Sequence, residues 1–190
     1  MEKEYCINLD LINSVLPAKS NDDTRYYLKG VYVEDKDGFR HYTATNGHVL
    51  LNVSEAIEGE PLEKPVILGI KKSIKFKGCD TGSLRLVDND TAVIKTNVEK
   101  LAVDIVDHEY PDFRKILPAM DKKAETYVSF NPDYMKIAVA FIPSVTEKRP
   151  YQETAGSACM WVNETNGVTK QAVVMPIRLT DMPKADKEEK

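Results

Sequence analysis

Residues 25–53, RYYLKGVYVEDKDGFRHYTATNGHVLLNV, contain the pattern that decides the fold class. Tyr26–Glu34, Phe39–Thr45 and Val49–Val53 are rich in Val, Tyr and Thr, a composition that is typical of strands. The pair Asp37-Gly38 predicts a tight hairpin between the first two strands, because such turns need residues that adopt positive φ. The stretch therefore predicts three successive strands, with the first two paired as a hairpin.

Helical spacing of apolar residues is found over residues 7–16 and 131–142, and the second stretch opens on an Asn-Pro pair suited to a helix start. A third, shorter helix is predicted over residues 70–77. Its Ile70 and Ile74 would face inward and its lysines outward.

The remaining segments read mainly as short strands and connections. His108–Pro118 contains two prolines and predicts no regular element. Residues 144–157 predict a mobile polar loop, and Asn166-Gly167 a second hairpin. From Thr180 onward we expect a frayed charged tail. The remaining predicted strands cover residues 66–68, 83–87, 92–96, 101–106, 126–130, 157–163 and 168–179.

This order of elements repeats a helix followed by strands about three times, over residues 4–60, 61–118 and 122–180. The repetition predicts an α+β fold with antiparallel sheets. By itself it indicates no function.

The composition of the chain argues against several classes of protein. The chain has 190 residues, enough for one domain or two small ones, and a net charge of −4. An acidic total argues against a DNA-wrapping protein or a repressor, but it permits local basic patches. The sequence has no apolar run of membrane-spanning length and no apolar signal core at its start. We therefore expect a cytoplasmic protein, or one in the host cytoplasm if it is viral.

An enzyme remains an alternative at this stage, since histidines and cysteines could form a thiol hydrolase or a metal site. Their spacing matches no such motif, and the sequence has no glycine-rich phosphate loop. We expect buried, reduced thiols and no metal or cofactor; a screen with nuclease and phosphatase substrates would test for catalysis. The residues concerned are Cys6, Cys79, Cys159, His41, His48 and His108.

Three short segments resemble the bacterial DNA sliding clamps, the beta subunits of DNA polymerase III. Arg25–Gly30 together with Thr43–Leu50 is similar to RYYLNG and ATDGHRL in the middle clamp domain. Tyr110–Pro118 is similar to the linker FPDYRRVLP, and Val173–Leu179 to the ending VVMPMRL. The resemblance covers residues 4–118 fairly continuously and residues 124–179 more loosely.

The sequence also departs from the clamp motifs. Asn46 and Val49 stand where the clamps have Asp and Arg, and Lys115 stands in place of an Arg. The chain is about half as long as a bacterial clamp, so we expect the opening domain and the first half of the closing domain to be missing. Such a compact version would suit a phage or a mobile element.

The resemblance implies a DNA-clamp fold of repeated helix-plus-antiparallel-strand modules. Residues 1–118 would form a clamp domain like the middle domain, residues 119–180 a partial one like the C-terminal segment, and residues 181–190 a charged tail. The implied function is a non-enzymatic processivity factor that encircles duplex DNA without reading bases. Its partners would be DNA, a polymerase and other clients, a clamp loader, and further copies of itself in a ring.

The resemblance also implies two sets of functional residues. The first would line a hydrophobic pocket for short client peptides; its alternatives are plain core packing and, at residues 45–48, a plain turn. The second would face DNA; its alternative is a solvated surface. The pocket set is Leu28, Thr45, Gly47, His48, Leu50, Pro111, Ile116, Val173, Met175, Pro176, Ile177, Arg178 and Leu179. The DNA-facing set is Arg25, Lys71, Lys72, Lys75, Lys77 and Lys136.

A second function stays open. A shortened clamp that keeps the peptide pocket but never closes a ring would act as a decoy for host replication proteins. Mass in solution, together with retention on circular and linear DNA, distinguishes the two functions.

Overall fold

The fold is a ten-stranded antiparallel sheet with two α-helices, so the predicted α+β class is confirmed. The computed structural model describes residues 3–124, 128–146, 148–154 and 156–177. The strands are β1 (Tyr5–Asn8), β2 (Val31–Lys36), β3 (Phe39–Thr45), β4 (Val49–Ala56), β5 (Val66–Gly69), β6 (Thr81–Leu86), β7 (Thr91–Lys95), β8 (Lys100–Ile105), β9 (Cys159–Thr165) and β10 (Val168–Val174). Their order in the sheet is β1-β6-β7-β8-β5-β2-β3-β4-β10-β9.

Both predicted hairpins are confirmed. Asp37 and Gly38 join β2 to β3 with φ of 52° and 84°, and Asn166 and Gly167 join β9 to β10 with φ of 52° and 76°. Two successive residues with positive φ are what a type I′ turn requires, and that turn matches the twist of the paired strands. The strand register on either side therefore follows from local sequence.

The helices are α1 (Leu9–Val15) and α2 (Pro132–Phe141), and both were predicted. The side chains of Asn8 and Asn131 cap them by accepting hydrogen bonds from backbone amides, at 3.1 and 2.9 Å. Strand β1, immediately before α1, was not predicted. None of the helices in the described part of the chain is long and apolar enough to cross a membrane.

The sheet has two apolar faces with different coverings. We call the one that packs against α1 and α2 the helix face, and the opposite one the open face. Side chains alternate along β4: Val49 and Leu51 belong to the helix-face core, whereas Leu50 belongs to the cluster on the open face. Because β4 is buried on both sides, it has a continuous apolar run instead of an alternating one.

The two edges of the sheet differ. On β1, the carbonyl of Cys6 accepts a hydrogen bond from Arg40, and the amide of Asn8 donates to the hydroxyl of Tyr42 at 3.0 Å. Side chains of β3 therefore occupy that edge. Within the described residues, β9 is bridged on its outer side only by Tyr151, which pairs with Met160.

The predicted strand Tyr26–Glu34 was wrong in its first half. A 3-10 helix covers Asp23–Leu28, and β2 begins only at Val31. The carboxylate of Asp22 accepts a hydrogen bond from the Thr24 amide at 2.9 Å and caps the helix. Local capping thus overrides the strand preference of the two tyrosines.

The predicted helix over residues 70–77 was also wrong. The segment is irregular, because side chains from elsewhere take its backbone amides: Ile74 donates to Asn13 at 2.8 Å, Lys75 to Glu99 at 2.9 Å. The predicted orientation does hold, since Ile70 and Ile74 are buried and the lysines are exposed.

The last part of the chain is more ordered than expected. Pro143–Thr146 forms a 3-10 helix, and Lys148 accepts a hydrogen bond from the Trp161 indole at 2.9 Å, so residues 144–157 are tied down at several points. Residues 128–130 lie outside any strand, and β10 ends at Val174. The predictions for residues 125–127 and for the tail from Thr180 lie outside the described residues.

Candidate functional site

A cavity of about 160 Å3 opens on the open face where four segments of chain meet. These segments are the end of the 3-10 helix Asp23–Leu28, the turn between β3 and β4, the linker after β8, and the end of β10. Nine of the residues predicted for the pocket line it. They are Leu28, Thr45, Gly47, His48, Leu50, Pro111, Ile116, Val173 and Met175.

The floor is apolar and continuous across strands. Leu50 on β4 is directly opposite Thr45 on β3 and Val173 on β10 in the strand register. Leu28 closes one side, and Leu28, Leu50 and Val173 are all buried. They therefore serve as core residues as well as the floor of the cavity.

The rim turn, residues 45–49, is held by its own side chains. The Thr45 hydroxyl donates to the carbonyl of Val49 at 2.8 Å and accepts from the Gly47 amide at 3.0 Å. The carboxamide oxygen of Asn46 accepts from the amides of His48 and Val49 at 2.9 and 3.0 Å. Asn46 thus caps the turn as an Asp would, so its departure from the clamp motif leaves the turn intact.

Glycine is required at position 47 for two reasons. Its φ is +90°, and a Cβ there would lie 2.5 Å from Nη1 of Arg25. Arg25, predicted to face DNA, instead lies beside the pocket rim and is hydrogen-bonded to Asp22 at 3.2 Å. Thr24 is the main cause that lowers the pKa of Asp22, through hydrogen bonds from its hydroxyl and amide.

The linker forms the outer wall. A 3-10 helix covers Phe113–Ile116, and side chains three residues apart lie on the same side of such a helix. Phe113 is buried, whereas Ile116 is 49% exposed at the mouth. Phe113, Val49 and Asp112 line the cavity but were not predicted to do so; the three-residue spacing from Ile116 was a signal for Phe113.

An ion pair anchors this wall to the sheet. The Arg114 guanidinium lies 2.5 Å from the Glu34 carboxylate on β2 and 4.6 Å from the centre of the Phe113 ring. The Tyr32 hydroxyl donates to the same carboxylate at 3.3 Å, and burial raises the pKa of Tyr32 to about 12. Tyr32 also stacks on Tyr110 at 4.5 Å, so the linker is fixed at both of its ends.

The chain beyond β10 continues along the rim. The Met175 amide donates to the His48 carbonyl at 2.9 Å, which brings Met175 into the cavity lining. Pro176 and Ile177 lie outside that lining, and Ile177 bonds through its amide to Ser129. Arg178 and Leu179 lie outside the described residues.

The predicted DNA-facing residues do not form one group. Lys71, Lys72, Lys75 and Lys77 are exposed on the segment that packs beside α1, on the helix face. Lys136 is also on that face, on α2, but its ammonium bonds to Asp133 at 3.0 Å.

The histidines lie in separate environments. His48 stacks on Tyr134 with ring centres 5.3 Å apart, and His108 stacks on Tyr27 at 4.4 Å. His41 is on β3, and burial, more than the charge of Arg114, lowers its pKa. Among the cysteines Cys159 is buried and Cys6 is half-buried, but Cys79 is exposed, so the prediction of buried thiols was wrong there. Within the described ranges no three His, Cys, Asp or Glu side chains are grouped as metal ligands.

Comparison with known sequences finds bacterial clamps. No protein-family model matches the chain. The "Beta sliding clamp" of Haemophilus influenzae is 26% identical over 145 residues, which are 73% of this chain and 38% of that protein. That of Rickettsia bellii is 29% identical over 118 residues, or 57% of this chain and 31% of that protein. The chain thus matches between 31% and 38% of the length of these two relatives.

Comparison with solved structures gives the same result for the fold. The sliding clamp of Caulobacter crescentus has a TM-score of 0.72 at 16% identity, covering 94% of this chain and 66% of that one. The DNA polymerase III beta subunit of Thermotoga maritima has a TM-score of 0.66 at 18% identity, covering 93% and 65%. The resemblance to bacterial beta clamps is confirmed, and the fold is the DNA-clamp fold.

Proposed function

We propose that this chain, which resembles bacterial beta sliding clamps in sequence and fold, is a non-enzymatic processivity factor that encircles duplex DNA and docks client peptides. One observation carries the proposal: the apolar cavity lies on the open face, and the segment that carries the exposed lysines packs its Ile70 and Ile74 into the helix-face core. A protein that holds DNA on one face and clients on the other needs this separation.

The cavity has the size and chemistry of a side-chain anchor site. An apolar cavity of about 150 Å3 in another protein accommodates benzene, so this one accepts a single Leu or Phe side chain. Burying such an anchor contributes about 1.5–3 kcal/mol. A client peptide with two adjacent anchors should therefore bind with micromolar affinity, on the order of −8 kcal/mol.

The charge on the helix face is sparse. Within the described residues the ammonium groups of Lys72, Lys75 and Lys77 pair with no carboxylate, Lys71 makes only an exposed 3.5 Å contact with Asp104, and Asp10 is exposed on α1. Weak, long-range attraction to phosphates holds DNA without fixing a register, which suits sliding. Tight side-chain contacts to bases would oppose it.

A ring of several copies completes the proposal. Residues 1–118 and 119–180 are taken as a full and a partial clamp domain, with about three modules in total. The clamps that the sequence resembles close rings of twelve modules, so four copies would suffice; a tetramer is favoured over a trimer or a dimer. Closed symmetry avoids the filaments that a non-closing contact would form.

Retention on DNA tests the proposal. The protein, with a polymerase and clamp loader, should stay on nicked circular DNA and slide off linear DNA through a free end. Changing Lys71, Lys72 and Lys75 together to Glu should reduce retention and processive synthesis; the matched control changes Lys3, Lys122 and Lys123, exposed lysines outside both the pocket lining and the segment 70–77, to Glu. Equal retention on both DNA forms would exclude a ring.

The decoy function is the second candidate. It is favoured by the length of the match, because the chain covers 38% of the Haemophilus influenzae clamp. A decoy would bind client peptides as a monomer. Native mass spectrometry at tens of micromolar distinguishes the two, since a monomer that fails to assemble on primed DNA with a loader supports the decoy.

A further inference from the structure

A second, larger hollow adjoins the pocket on the open face. This groove has a volume of about 850 Å3 and lies where β5 and β8 diverge after only two paired residues. Pro111, Asp112 and Phe113 line both hollows, so a single segment of linker separates them.

The groove combines an apolar floor with acidic sides. Ile67 and Val106 of the open-face cluster contribute apolar surface, together with Leu86 and Ile105, which pack against the helix-face core. The sides contain four exposed carboxylates. In the described part of the chain, three of them pair with no lysine or arginine, and the fourth has an exposed 3.5 Å contact with Lys115. These carboxylates belong to Asp88, Asp107, Glu109 and Asp112.

The groove also contains positively charged side chains. Arg114 is neutralised by Glu34, as described above. Lys36 and Lys64 also line the groove, but three of its exposed carboxylates lie within residues 107–112, the stretch that leads into the pocket wall. The side of the groove next to the pocket is therefore acidic.

We propose that this groove binds the residues that flank a docked client motif, and that it prefers flanks containing lysine or arginine. The inference rests on the proposed peptide pocket and specifies what kind of client it selects. Neighbouring chain segments lie about 5 Å apart, and an extended peptide advances about 3.3 Å per residue. A flank of two to four residues thus reaches across Pro111–Phe113 into the groove.

The chemistry of Lys and Arg fits this site. Their aliphatic stems pack on apolar surface while their charged ends reach carboxylates. Because the carboxylates are exposed, each contact is weak and screened by salt. We therefore expect the groove to add about fivefold to the affinity of a basic-flanked peptide at low salt.

Fluorescence anisotropy with matched peptides tests the inference. Each peptide contains the same Leu-Phe anchor pair, with Lys-Arg-Lys or Ser-Gly-Ser attached before or after it. One basic peptide should bind the parent about fivefold tighter than its neutral counterpart, and the gap should close at about 0.5 M salt. The preference should disappear in the variant Asp107→Asn/Glu109→Gln, with the neutral peptide unaffected.

A control variant removes two carboxylates elsewhere. Asp10→Asn/Asp133→Asn changes net charge equally on the helix face and should keep the preference. Equal binding of basic and neutral peptides to the parent, or a preference lost in both variants, overturns the groove while leaving the pocket intact. If no peptide binds at all, the proposed pocket fails and the groove with it.

Discussion

The two faces of the sheet are covered by different kinds of structural element. Two capped α-helices cover the helix face, and its core residues, such as Ile12 and Val15, have no exposed surface. The open face is covered by two short 3-10 helices and a linker, and it retains two hollows. Regular helices pack continuously against a sheet, whereas short irregular segments leave gaps. Binding capacity thus arises where the covering is incomplete.

The largest expected effect is a loss of stability when a core residue of the helix face is shortened. Ile12→Ala removes a fully buried side chain between α1 and the sheet, so the free energy of unfolding should fall by about 2–5 kcal/mol. Urea unfolding measures it, and peptide affinity of the folded protein should not change. A loss below about 1 kcal/mol would show that the helix face is not closely packed.

The second-largest loss of stability is expected for a substitution in the rim turn. Gly47→Ala places a Cβ at φ of +90° and 2.5 Å from Arg25, so it should cost more than the roughly 1–2 kcal/mol of a left-handed conformation alone. Gly38→Ala is the control, because its φ is +84° and nothing lies within 4 Å of the added Cβ. Equal losses in the two variants would mean that Arg25 moves away without cost.

At the mouth of the pocket, binding should change while stability does not. Ile116 is 49% exposed, so Ile116→Ala should alter the free energy of unfolding by less than about 0.5 kcal/mol. It should weaken binding of a Leu-Phe peptide by about 1–2 kcal/mol, measured by anisotropy. Val98→Ala, at a site 53% exposed and outside the cavity lining, should leave binding unchanged; a similar loss there would point to a nonspecific effect.

The smallest effect concerns pH on the open face. Burial lowers the pKa of His41 in the folded protein, so the unfolded chain binds its proton more readily. Its contribution to stability is therefore present at pH 8 and is lost as pH falls below about 6.5, the ordinary histidine value. Unfolding of the parent and of His41→Gln, compared from pH 8 to pH 5, isolates this contribution. Parallel curves would contradict it.

The sequence predicted those parts of the fold that are determined by residues adjacent in the chain. The Asp-Gly and Asn-Gly turns set their own hairpins, and Asn131 caps α2 from the adjacent position. The segment 70–77 failed because its partners, such as Asn13 and Glu99, are distant in sequence. Strand β1 was missed for the same reason, since it pairs with β6.

The pocket was predicted from motifs and not from spacing. Three separated segments, around residues 45, 113 and 175, meet only through the strand pairing of β3, β4 and β10. The large groove was not predicted at all. It depends on where β5 and β8 separate, and no single segment of the sequence encodes that separation.

The occupied edge at β1 restricts how copies of this chain can be related by symmetry. Arg40 and Tyr42 fill the outward hydrogen-bonding positions of Cys6 and Asn8, so a second chain cannot add a strand there. Backbone pairing through β9 alone would join two copies by a twofold axis and then stop. A closed ring of three or more copies needs two different joining surfaces on each copy. One of them must therefore be built from side chains alone.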